Sequence, residues 1–131
     1  MYILDTNTLI YFFKGMGNVP SKLLAIPPKK IAIPAIVIYE LEYGIARSNS
    51  PKKRQAQLKE ICSLVNVLPF GNKEARSAAS IRANLEKKGT PIGPYDVLIA
   101  GTALEHGGIL VTNNLKEFSR VSKLKTENWY S

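Results

Sequence analysis

The amino-acid sequence predicts a single α/β domain, an α/β/α sandwich with a mostly parallel central sheet. Three observations lead there. Short apolar runs, such as Tyr2-Ile3-Leu4 and Ile109-Leu110-Val111, have the pattern of strands buried on both faces. Those runs alternate with stretches of helical periodicity, so consecutive strands are joined by helical crossovers and lie parallel. Finally, the 131 residues contain no repeat, linker or low-complexity tract, so one domain spans residues 1–131. Sheets of this kind carry their working site outside the carboxyl ends of the strands, where the strand order switches direction.

The elements follow in order. Tyr2 to Leu4 is a strand closed by Asp5. Asp5 and Thr6 then cap a helix through Leu9, Ile10, Phe12 and Phe13 that stops near Gly15 and Gly17. After a short segment at Leu23-Leu24, Pro27-Pro28 interrupts the chain and Lys30 to Ile33 forms the second strand. Pro34 starts a helix over Ala35 to Arg47, and Pro51 opens another that runs to about Ser63. Leu64 to Leu68 is the third strand, ended by Pro69. Asn72 to Lys88 is a helix stopped by Gly89, and Tyr95 to Glu105 is a nearly all-apolar helix closed by Gly107-Gly108. Ile109 to Thr112 is a buried strand, and a last one lies near Leu124 to Thr126.

Composition narrows the chemistry. Lys and Arg number 18 against 10 Asp and Glu, a net charge of +8, which favours a polyanionic partner. Arg47, Lys52, Lys53, Arg54 and Lys59 form a run without an acid, and Lys116, Arg120, Lys123 and Lys125 form a second with only Glu117 between them. Such runs supply affinity for a phosphate backbone but no sequence information. The lone Cys62 excludes an intrachain disulfide and a multi-cysteine zinc site, and the lone His106 excludes mechanisms that need two histidines. His106 sits where a helix ends, a structural position. With no apolar run of membrane-spanning length and no signal-peptide pattern at the N-terminus, the expectation is a small, soluble cytoplasmic protein with no membrane partner.

The acids stand out. Only two aspartates occur, Asp5 at the end of a buried strand and Asp96 at the start of an apolar helix. Each is also a reasonable cap or first-turn acid. Yet a carboxylate on a core element is costly unless it is paired or bound to a cation. Glu40 and Glu42 lie two residues apart on the Ala35–Arg47 helix, roughly on opposite faces, and periodicity does not choose between them. Three carboxylates from separate elements meeting at one sheet edge would offer oxygen ligands to Mg²⁺ or Mn²⁺.

Four segments in order resemble the PIN-domain ribonucleases, and within them the VapC toxins of bacterial VapBC toxin–antitoxin modules. They are Tyr2-Ile3-Leu4-Asp5-Thr6-Asn7, Ile38-Tyr39-Glu40-Leu41-Glu42-Tyr43-Gly44, Gly93-Pro94-Tyr95-Asp96-Val97-Leu98-Ile99-Ala100, and Leu110-Val111-Thr112-Asn113-Asn114-Leu115-Lys116-Glu117-Phe118. The resemblance implies a PIN-like fold and metal-dependent endoribonuclease activity. It makes Asp5, Glu40 and Asp96 the catalytic acids and Mg²⁺ ligands, with Mn²⁺ as a substitute, and leaves Glu42 on the surface. It puts Glu117 or Asn114 at the fourth acidic position, and Thr6 and Thr112 behind the ligands as hydrogen-bonding support. The segment from Arg82 to Asp96 resembles the subgroup that cleaves initiator tRNA in the anticodon stem-loop. The implied partners are an RNA substrate, namely tRNA, a VapB-type antitoxin, a second copy in a homodimer, and operator DNA reached only through the antitoxin complex.

The expected reaction is in-line attack of a metal-activated water on an RNA phosphodiester, leaving a 5′-phosphate and a 3′-hydroxyl. Arg47, Lys52, Lys53, Arg54, Lys87 and Lys88 would hold the backbone, while Tyr11, Phe12, Tyr43 and Tyr95 could stack on bases. Two rival readings remain: a PIN-domain nuclease of RNA processing outside any toxin system, and a non-catalytic nucleic-acid-binding module. A phosphate-accepting receiver domain is disfavoured, because the chain lacks an acidic pair after the first strand and is basic around residues 50–60.

Overall fold

The computed structural model describes all 131 residues. Five strands, β1 (Tyr2–Leu4), β2 (Ile31–Pro34), β3 (Asn66–Leu68), β4 (Ile109–Val111) and β5 (Lys125–Glu127), form one sheet in the order β3-β2-β1-β4-β5. Every pairing is parallel, with Tyr2 opposite both Ile31 and Ile109. The helices are α1 (Thr6–Lys14), α2 (Val19–Leu24), α3 (Ala35–Arg47), α4 (Lys52–Leu64), α5 (Asn72–Lys87), α6 (Pro94–Glu105) and α7 (Leu115–Phe118).

The central strands are buried for the reason their composition suggests. Ile3, Leu4, Ile33, Leu110 and Val111 are fully enclosed, because helices cover both faces of a parallel sheet. The outer strands differ from the expectation of uniformly buried strands: in β3 only Leu68 is buried, and β5 has no buried residue. They are sheet edges, with one neighbour each. Helix α4 also runs through Leu64, so β3 begins two residues later than the apolar run suggests. Neither the four-residue helix α7 nor the 3-10 turn Pro28–Lys30 has a periodic pattern long enough to be read from sequence.

Two glycines are required by geometry. Gly15 stops α1 in the left-handed conformation (φ 67°) and donates its N–H to Phe12 O. Gly101 lets α6 lie against α5, since a Cβ there would stand 2.7 Å from the Ala78 Cβ. That close approach fixes α6, and with it Asp96 in its first turn. No helix is long and apolar enough to cross a membrane.

Candidate active site

The chain order crosses from one half of the sheet to the other between β1 and β4, and the acids gather at that point. Asp5 is the first residue after β1. Its N–H bonds Val111 O at the end of β4 (3.2 Å), and its Oδ1 accepts the Thr8 N–H (2.9 Å) as the cap of α1. The capping reading is therefore correct, and it does not exhaust the residue. Asp5 is only 5% exposed, and this burial pushes its carboxyl pKa up; the Thr112 and Thr8 hydrogen bonds pull the opposite way.

Glu40 comes from α3, which starts directly at the carboxyl end of β2. The Thr6 hydroxyl donates to Glu40 Oε1 at 2.7 Å, tying α3 to the start of α1. Glu42 is exposed, whereas Glu40 is partly buried and has a hydrogen-bond partner 34 residues away in sequence. Asp96 lies in the first turn of α6, with Gly93 so near that a Cβ on it would be 3.2 Å from Asp96 Oδ2. The Asp96 carboxyl is raised to about 6, first by burial and then by the charges of Glu117, Asp5 and Glu40.

That ordering places Glu117 in the group. It sits on α7, where the Asn114 side-chain amide donates to Glu117 Oε2 and the Asn114 N–H donates to the Thr112 hydroxyl (2.9 Å). Asn114 thus positions the acid, and α7 is the element the sequence did not announce. Thr6 hydrogen-bonds Glu40, and Thr112 hydrogen-bonds Asp5.

No cation neutralises this cluster. The side-chain ion pairs of the chain are Arg82–Glu86 and His106–Glu74, and neither involves Asp5, Glu40, Asp96 or Glu117. The carboxylates act on one another electrostatically, but no three His, Cys, Asp or Glu side chains are drawn into a ready-made metal cage. The donor set, carboxylate oxygens with threonine support, is of the hard kind that divalent cations such as Mg²⁺ accept.

The basic residues divide. A depression of about 350 Å³ beside Glu40 is lined by Lys14, Ser48, Ser50, Lys53 and Arg54, so part of the Arg47–Lys59 run borders the acids. Arg54 also stacks on Phe13 (5.0 Å) and bonds Gln57 (2.8 Å), and Arg47 lies over Tyr43 (5.4 Å). Lys52 is exposed on the first turn of α4. Lys87 and Lys88 sit at the end of α5, Lys87 on a separate shallow surface with Ala83, Asn84 and Glu86. Two expected stacking residues are committed elsewhere: half-buried Tyr11 packs on Tyr130 (4.7 Å), and Phe12 on Phe13 (5.9 Å). Tyr43 and Tyr95 are exposed, and so is Tyr39, which the sequence reading passed over. His106 accepts its structural role, with Nε2 2.9 Å from Glu74 Oε2.

An all-parallel sheet of this order, with acids near the point where the strand order switches, is that of a doubly wound α/β domain with its site in the usual place. The chain belongs to the PIN-domain family, whose model matches residues 2–124. Within that family its relatives are VapC ribonucleases. It is 37% identical to the tRNA(fMet)-specific endonuclease VapC of Salmonella typhimurium, over 98% of this chain and 97% of that protein. It is 38% identical to Ribonuclease VapC2 of Haemophilus influenzae, again over 98% and 97%. Among solved structures it superposes with TM-score 0.90 and 36% identity on VapBC2 of Rickettsia felis bound to a promoter DNA fragment, over 98% of both chains. DNA-bound VapBC of Salmonella typhimurium gives the same TM-score and identity, over 98% of this chain and 97% of that one.

Proposed function

We propose that the chain is a divalent-metal-dependent endoribonuclease, the toxin of a VapBC-type pair, with tRNA as its substrate and the initiator-tRNA anticodon stem-loop as the target. The observation that carries this reading is the charge coupling of Asp96 to Glu117, Asp5 and Glu40 near the switch point, with no ion pair to any of the four in a chain of net charge +8. The names of the relatives support the ribonuclease activity and the tRNA target.

Asp5, Glu40 and Asp96 would hold Mg²⁺ or Mn²⁺, with Glu117 beside them. When bound, such an ion offsets the phosphodiester charge and makes water a stronger nucleophile. The protein's own groups prepare the site. Thr6 holds Glu40 in one orientation, the α1 N-terminus and Thr112 hold Asp5, and Asn114 holds Glu117. Lys53 and Arg54 offer positive charge to the RNA backbone beside the acids.

The partners fit the same reading. The two solved VapBC structures compared above are both bound to DNA. An apolar depression of about 370 Å³ between α1, α2 and α4, lined by Phe12, Phe13, Leu23, Leu24, Ile61 and Leu64, is a fitting seat for an antitoxin segment. A homodimer, with operator DNA reached through the antitoxin, completes the assembly, which operates in the cytoplasm.

The decisive experiment is incubation of purified protein with total tRNA, first with Mg²⁺ and then with chelator, followed by sequencing of the new ends. Cleavage at one tRNA site with Mg²⁺ alone, leaving 5′-phosphates, is the expected result. Undiminished cleavage in chelator, or 2′,3′-cyclic phosphate ends, would refute the metal–water reading.

A further inference from the structure

We propose that Tyr39, Tyr43 and Tyr95 form a stacking shelf that selects unpaired bases next to the scissile phosphate, an inference that rests on reading Asp5, Glu40 and Asp96 as the cleavage site. The three rings are 53%, 55% and 42% exposed, far more than a core tyrosine tolerates. The remaining tyrosines behave otherwise: Tyr2 packs on Trp129 (5.4 Å) and Tyr11 on Tyr130 (4.7 Å), all four partly or wholly buried.

The shelf is attached to the acids by covalent neighbourhood. Tyr39 immediately precedes Glu40, and Tyr95 immediately precedes Asp96. Tyr39 and Tyr95 bridge α3 and α6, with ring centroids 5.6 Å apart, a 51° interplanar angle and hydroxyls 3.4 Å apart. Tyr43 lies one helical turn beyond Tyr39, and Arg47 one turn beyond that, its guanidinium 5.4 Å from the Tyr43 centroid. Glu40 and Tyr43 both act electrostatically on the Tyr95 hydroxyl, which puts shelf and acids in one neighbourhood.

The occupant follows from the chemistry of the rim. Aromatic faces with hydroxyl edges accept any base plane, and a flanking guanidinium meets phosphate or stacks in turn. The cations at Lys53 and Arg54 next to Glu40 continue that path with backbone charge. A base locked inside a duplex cannot reach such a shelf, so the site selects loops over stems.

The test uses the full chain in chelator, with a short fluorescein-labelled single-stranded RNA followed by fluorescence anisotropy. Tyr43→Ala and Tyr95→Ala should each weaken binding by about tenfold, as expected for the loss of one stacking platform. The slope of affinity against salt should stay as in the unmodified chain, because no phosphate contact is removed. Tyr43→Phe and Tyr95→Phe should retain binding, and with Mg²⁺ the alanine variants should raise KM while kcat changes little. Circular dichroism melts check that the exposed substitutions leave the fold intact. Unchanged binding in the alanine variants would overturn the shelf, as would their conversion of a dimer into a monomer by light scattering, which would assign the three rings to a contact between copies. If the unmodified chain cuts RNA and the variants match it, the shelf alone fails; if the unmodified chain cuts no RNA, the nuclease reading fails first and takes the shelf with it.

Discussion

Two carboxylates in this molecule are buried almost equally and behave in opposite ways. Glu74, 6% exposed, opens α5: its Oε1 accepts the Gly71 N–H at 2.8 Å and its Oε2 meets His106 at 2.9 Å. Its pKa is lowered, first by the backbone hydrogen bonds with Gly71 and itself, with His106 adding to them. Asp5, 5% exposed, also caps a helix, but it has no ion-pair partner, and burial raises its pKa against the pull of its Thr112 and Thr8 hydrogen bonds. A helix cap that is fully partnered is a structural acid. A buried cap without a cation to offset its charge is costly to ionise. The difference lies in how far partners offset burial: the Thr8 and Thr112 hydrogen bonds only partly counter it at Asp5, whereas the backbone N–H groups and His106 more than counter it at Glu74.

The largest effect expected from this contrast is on cleavage. Asp5→Asn and Asp96→Asn should each lower RNA cleavage on the order of a thousandfold, since each removes charge where metal and phosphate meet, with unchanged circular dichroism. Glu74→Gln should leave cleavage as it is. Measured turnover of tRNA by the three variants side by side breaks the contrast if Glu74→Gln is as inactive as the others.

Next in size is RNA binding. Reversing Lys52, Lys53 and Arg54 to glutamate should cost at least about tenfold in affinity at low salt and flatten the salt slope. Filter binding across a salt series reads both, and an unaltered slope would show that this run faces away from the RNA.

Stability supplies the smaller effects, with opposite pH dependence for the two acids. The Asp96 carboxyl has a folded pKa of about 6 against an ordinary value of 3.8, so the folded state holds its proton more tightly than the unfolded state does. Its ionisation therefore opposes folding above about pH 6, and the penalty is relieved as pH falls from there toward 3.8. In chelator near neutral pH, Asp96→Asn should raise Tm by a few degrees, on the order of 1 kcal/mol once the group's partial exposure is discounted. The gain should vanish near pH 4. Glu74 runs the other way: its stabilisation is complete above its unfolded value of 4.5 and is lost as pH falls through the lowered folded value. Glu74→Gln should thus lower Tm by a few degrees at neutral pH and converge with the unmodified chain in strong acid. Melting curves across pH, with and without Mg²⁺, measure both, and Mg²⁺ should raise the Tm of the unmodified chain but not of Asp96→Asn. Gly93→Ala, the mildest change, crowds Asp96 Oδ2 and should weaken Mg²⁺ binding severalfold in calorimetry without changing Tm appreciably.

Much of this was legible in the residues, because local chemistry dictates it. Asp5 caps α1, Gly15 stops it, Pro34 opens α3 at Ala35, and β1 and β4 are apolar runs bounded by polar residues. Each of those is decided within a few positions of the chain. Four-segment likeness added Glu40 to the two aspartates, whereas α3's own periodicity could not separate it from Glu42.

What needed the tertiary structure is whatever depends on groups distant in sequence. Thr6 bonds Glu40 across 34 residues. The short helix α7 presents Glu117 with Asn114 holding it, and four residues are too few to show a period. Tyr39 and Tyr95 meet across 56 residues, while Tyr11 and Phe12, similar on paper, turn inward. A residue's backbone preference is its own, and so a sequence can state it. The sign of its pKa and the company of its side chain come from fields and contacts that exist only after the sheet has brought distant segments together.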